Sequence, residues 1–153
     1  MFWNKNKKVT EEELELNRKC QAEAEQLYRS GKYHCAEAVL ETVRRQFAPN
    51  LPESIVGTVS GFGGGSSSGC ICGAVSGGTV ALGLVLADKK ETTHLTKELH
   101  SWFKEKYGVT CCKIIRQNHK GVCPVLTGEV AGKVAEMLAA NPPCPPFDKG
   151  GNL

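Results

Sequence analysis

The side chains in this chain best suited to chemistry are its eight cysteines: Cys20, Cys35, Cys70, Cys72, Cys111, Cys112, Cys123 and Cys144. Cysteine thiolates ligate soft metals and exchange with disulfides. Two spacings stand out. Cys70 and Cys72 form a C-x-C pair, and Cys111 and Cys112 are adjacent. The patterns that would name one chemistry from spacing alone are missing. Paired C-x2-C motifs, a C-x2-C-x2-C-x3-C-P run, a single C-x-x-C and a C-x-x-C-H are all absent, which argues against a zinc ribbon, a ferredoxin-type loop, a thioredoxin-type site and covalent haem. Plain buried thiols stay open as a reading, because free cysteine is often a core residue.

The cysteines must be placed by something, and the local signals are helical. Thr10-Glu11-Glu12-Glu13 reads as a capping box, opening a helix that stops near Gly31. A second helix is expected from about Tyr33 to Phe47, with Cys35, Ala38, Val39, Thr42, Val43 and Phe47 on one side. Pro49 and Pro52 break it, and a short helix over 53–59 precedes the stretch GFGGGSSSGCICGAVSGG. After Cys72, Gly73, Gly77 and Ala81 step by four, a smooth stripe that lets another backbone approach or forms a dimer seam. Asp88-Lys89-Lys90 closes that segment, and Thr92 or Thr93 is expected to cap a fourth helix ending at Gly108. Cys111 to Gln117 suits two helical turns, Asn118 to Gly121 a loop, and Pro124 the first turn of a last helix to about Ala140. Strand alternation and internal repeats are absent. The expectation is an all-α fold of five or six helices, with a Gly-rich loop before a central helix. A flexible segment 1–9 and a Pro/Gly-rich tail 141–153 flank the helical unit 10–140.

On this map Cys35, Cys72, Cys111, Cys112 and Cys123 fall at helix entrances or short connections. Helix N-termini favour thiolate, and their unpaired amides can bond to sulfur. An anionic iron–sulfur cluster wants both. It also wants backbone close at hand with N–H groups turned inward, which glycine permits. The glycine stretch is not a phosphate loop, since it lacks G-K-[ST] and fails G-x-G-x-x-G.

The other polar residues carry less. His34 adjoins Cys35, where it can ligate or hydrogen-bond a sulfur but reads first as polar surface, while His119 in the loop before Cys123 is the histidine expected nearest a metal centre. His94 and His100 do not share a helix face. Glu37 and Glu41 are spaced i,i+4 but lack the Glu-x-x-His of a diiron site, so they read as a solvated face. Trp102, Phe103 and Tyr107 read as core or dimer surface, and Cys20 as a small buried residue. A formal net charge of +3 is too small to argue for nucleic acid. The longest apolar run, Ala74 to Ala87, is 14 residues, short of the ~20 that span a bilayer. The first residues lack a leader-like apolar stretch, so a cytoplasmic chain with reduced thiols is expected.

Tyr33-His34-Cys35-Ala36-Glu37-Ala38-Val39, GFGGG ahead of Cys72-Gly73-Ala74-Val75-Ser76-Gly77, Phe103-Lys104-Glu105-Lys106-Tyr107-Gly108 leading to Cys112, and finally Cys123 resemble a family of redox proteins. The family is named for a C-GCAxxG-C-C cysteine pattern, and a related module occurs in split-Soret cytochromes c. The resemblance implies a helical redox protein that holds an iron–sulfur centre, often as a homodimer, and serves a further redox partner. It places the cluster ligands on Cys35, Cys72, Cys112 and Cys123, with Gly63, Gly64, Gly65 and Gly73 supporting them. A 4Fe–4S cluster is favoured, with 2Fe–2S or a larger cluster as alternatives. This chain departs from the pattern at Cys70 and Cys111, which with His119 are candidate extra ligands; Cys144 is a tail thiol or a ligand to a partner subunit. Two other readings stand beside this one. One is a thiol–disulfide or persulfide protein using Cys70/Cys72 or Cys111/Cys112; the other is a helical interaction module with a structural zinc site.

Overall fold

In a computed structural model, described here for residues 8–142, helices begin where local chemistry supplies a cap. The expected N-terminal segment lies mostly outside the described residues, as does the tail with Cys144. Helix α1 (Glu11–Arg29) opens on the Thr10 capping box, with Glu13 N donating to Thr10 Oγ1 and Thr10 N to Glu13 Oε2. Helix α2 (Cys35–Phe47) starts after His34, whose amide donates to Glu37 Oε1 at 3.2 Å. A 3-10 segment (Glu53–Phe62) is longer than the short helix expected, and a wide turn (Gly65–Gly69) follows. Helix α3 (Gly73–Leu86) is central, α4 spans Lys89–Tyr107, α5 Cys112–Asn118 and α6 Cys123–Ala140 with Pro124 in its first turn. The fold is all-α and forms one packed domain.

Two expectations need correction. Asp88 does not close the preceding segment; its carboxylate accepts from Glu91 N at 2.8 Å and caps α4, so neither Thr92 nor Thr93 is the cap. A carboxylate at this position also meets the positive end of the helix dipole. Glu41 is not on a solvated face. It is fully buried, and its carboxylate accepts from Arg44 Nε and Nη2 (2.8 and 2.9 Å) and from Arg45 Nε (2.6 Å).

The core is built by α6 lying across α1, α2 and α3, with α4 packed on α3 and touching α6. Leu40, Leu82, Leu95, Leu99, Phe103, Met137 and Leu138 are its largest fully enclosed apolar side chains, each contributing roughly 1.5–3 kcal/mol by leaving water. Small residues set the helix spacing. A methyl group on Gly77 would lie 2.5 Å from Ala36 O, so the α3 stripe seats α2 there within the chain. A second stripe, Gly128 and Gly132 on α6, lets the α1 backbone approach at Gln21 and Asn17. That spacing of four was legible in the sequence, though only the α3 stripe is singled out there.

Candidate functional site

Four helices begin at or just after a cysteine, and the four beginnings meet. Cys35, Cys112 and Cys123 are the first residues of α2, α5 and α6, and Cys72 is the residue that leads into α3. All four line one cavity of about 310 Å³. That is far more than one ion requires, about ten times the ~30 Å³ share of a liquid water. Among the described residues, no group of three or more His, Cys, Asp or Glu converges tightly enough to hold a single metal ion. The four cysteines line a shared volume.

The glycine stretch makes this enclosure. Gly63, Gly64 and Gly73 line the cavity. A methyl group on Gly73 would lie 2.5 Å from both Cys35 Sγ and Phe62 O, and one on Gly65 would lie 2.6 Å from Cys112 Cβ. Gly64, Gly65, Ser66 and Ser67 are all left-handed (φ 57 to 67°), a run that costs the two serines about 1–2 kcal/mol each. Two backbone bonds close the turn against α5: Cys72 N donates to Thr110 O at 2.8 Å, and Cys112 N to Cys70 O at 2.5 Å. They flank a lone bridge between Ile71 and Cys111. This pairing splits both cysteine pairs. Cys72 and Cys112 face the cavity, while Cys70 is exposed and Cys111 half-buried, neither lining it.

The electrostatics of the sulfurs are a contest. Burial pushes the Cys72 thiol up to about 12, against the opposing pull of the Val75 and Ala74 amides at the start of α3. Those amides face the sulfur without forming a fully aligned cap. Burial likewise raises Cys35, opposed by the amides of Gly64 and Ala36, and raises Cys112, opposed by Arg116. Neighbouring sulfurs add to the rise at all three. Such thiols stay protonated by themselves; a cationic metal among them reverses the balance and makes thiolate the favoured form.

The remaining wall comes from residues the sequence reading did not select: Tyr28 of α1, Ile115 and Arg116 of α5, and Leu126 and Thr127 of α6. Burial and the neighbouring Cys123 and Cys35 sulfurs raise the Tyr28 hydroxyl above its ordinary pKa. Arg116 and Thr127 each stand four residues after a cavity cysteine, a one-turn spacing that could have flagged them. His34 lines the cavity, whereas His119 packs edge-on against Tyr107 with ring centroids 6.1 Å apart. Cys20 is fully buried in α1, away from the cavity. Phe103 is core, and Trp102 lies under the Lys106 and Lys133 ammonium groups.

A chemical donor set of four thiols, amides aimed at two of the sulfurs and glycine-lined backbone suits an iron–sulfur cluster. Residues 33–137 match the family described as "Putative redox-active protein (C_GCAxxG_C_C)". The chain belongs to this family. The C_GCAxxG_C_C match takes in all four cavity cysteines and leaves Cys20 and Cys144 outside it. No curated protein and no solved structure shows significant similarity to this family member. Among the described residues, no helix is long and apolar enough to cross a membrane.

Proposed function

We propose that this member of a redox-active family is an iron–sulfur protein that carries electrons within a larger redox system. Cys35, Cys72, Cys112 and Cys123 would hold the cluster. The observation that carries this reading is the convergence of four helix-starting cysteines, far apart in the chain, on one cavity. Four thiols around a cavity of about 310 Å³ leave room for a 4Fe–4S cluster. The splitting of the C-x-C and vicinal pairs between cavity and exterior weighs against either pair as a disulfide-forming unit.

When bound, such a cluster supplies one-electron transfer. The chain's own residues do the rest. Amides of Ala74, Val75, Gly64 and Ala36 offset thiolate charge. Tyr28 stands beside the Cys123 and Cys35 sulfurs, Arg116 balances negative charge, and Ile115 and Leu126 keep water out. An open basin adjoins the cavity at Gly64, Cys112 and Arg116, with Lys113 and Lys120 on its rim. This is the side an acidic electron carrier would approach.

Purification without oxygen tests the proposal. The expected result is a brown protein carrying iron and acid-labile sulfide. Cys72→Ser should lose most of both, while Cys20→Ala keeps them. Zinc without sulfide, a colourless metal-free protein, or full retention in Cys72→Ser would each overturn the assignment.

A further inference from the structure

Thr127 is fully buried, and its hydroxyl has no hydrogen-bond partner. A buried hydroxyl left unpaired costs about 1–3 kcal/mol, so it calls for a reason. The usual escape for a helical threonine is to donate to the carbonyl four residues back. Thr79 and Thr93 do so, to Val75 O at 2.9 Å and Lys89 O at 2.8 Å. Thr127 does not. Two other buried threonine hydroxyls, Thr42 and Thr96, also lack partners, but neither lines the cysteine cavity; Thr127 does. It sits on α6 one turn beyond Cys123, beside Leu126 in the wall.

We infer that the Thr127 hydroxyl is a hydrogen-bond donor to the sulfur-rich group held by the four cysteines, and that it sets the potential of that group. The inference rests on the proposed function. Its chemistry is specific. A hydroxyl offers one donor hydrogen, and a cluster offers electron-rich sulfur. The donor stabilises the more negative, reduced form more than the oxidised one, and so raises the reduction potential. Thr127 is a tuning residue here and holds no iron.

The test compares wild type, Thr127→Val and Thr127→Ser, each loaded without oxygen. Thr127→Val is expected to keep full iron and sulfide content but to show a more negative midpoint potential, with Thr127→Ser returning it towards wild type. In the metal-free proteins Thr127→Val should be at least as resistant to denaturant as wild type, since it removes an orphan polar group. A loaded Thr127→Val with unchanged potential overturns the inference alone. So does a marked loss of metal-free stability, which would mean the hydroxyl has a partner within the protein. A wild type that takes up no iron or sulfide overturns the reading beneath it, and the inference with that reading.

Discussion

At Gly73 the difference between hydrogen and methyl decides whether two helices can share a sulfur pocket. A methyl group there would collide with the Cys35 sulfur and with the Phe62 carbonyl, and the carbonyl belongs to backbone that cannot rotate away. Alanine gains about 1 kcal/mol over glycine in helix propensity, but overpacking costs about 1–3 kcal/mol, and here the collision wins. Gly73→Ala is expected to lower the denaturation midpoint and to reduce iron per chain together, because the forced shift moves Cys35. Gly83→Ala is the contrast. Its methyl would meet only Thr92 Cγ2, at an ordinary 3.6 Å, so that variant should be slightly stabilised with full iron. Equal behaviour of the two in denaturation and iron assay would refute the close-approach argument.

Helix α2 carries a proposed cluster ligand at one end and an ion network around a buried carboxylate in its middle. Its first residue delivers Cys35 to the cavity, while Glu41, with a side chain 1% exposed, anchors Arg44 and Arg45. Arg44 passes the tie on to Leu51 O at 2.7 Å, and Arg45 to Glu23 of α1 at 2.9 Å. Burial acts to raise the Glu41 pKa, but the hydrogen bonds and charges of the two arginines outweigh it and hold the carboxyl below its ordinary 4.5. A carboxylate depressed in the folded state contributes stability that is fully present above the unfolded pKa and lost as pH falls through the folded one. Denaturation midpoints should therefore be flat near neutrality on this account and decline below about pH 4. Glu41→Gln should lose about 1–3 kcal/mol at pH 7, since it leaves the Arg44 guanidinium, 11% exposed, short of its carboxylate while Arg45, 44% exposed, stays solvated, and it should show a shallower acid decline. An unchanged acid profile in that variant would remove Glu41 as its cause.

For the molecule as a whole, charge is placed unevenly with respect to the site. The net charge is only +3, yet Lys113, Arg116 and Lys120 gather on the basin that opens beside Cys112, and no carboxylate is among the described residues lining it. Such a patch concentrates anions locally and adds a salt-dependent gain in encounter rate, about tenfold or more. Reoxidation of the reduced protein should be faster with anionic ferricyanide than with a cationic ruthenium hexaammine at low salt, after allowance for driving force. The ferricyanide rate should fall as ionic strength rises. Lys113→Glu with Lys120→Glu should cut that rate about tenfold and reverse its salt dependence. Stopped-flow traces that keep the wild-type salt dependence would place the electron exit elsewhere.

Much of the element map was legible from the chain because helix starts and stops are decided within one turn. The Thr10 box, Gly108 and Pro124 each speak for themselves, and the cysteines could be seen at helix entrances. Asp88 was misread for the same local reason: it suits a helix end and a cap alike, and only the path of the backbone chose the cap. What no local signal carried was which helix ends meet. That follows from the burial of apolar faces between segments far apart in sequence, with Gly77 seating α3 on α2 and Gly128 and Gly132 seating α6 on α1. This packing brought Cys35, Cys72, Cys112 and Cys123 to one cavity and turned Cys70 and Cys111 out of it. It also enclosed Glu41 and set the Thr127 hydroxyl without a partner in the cavity wall.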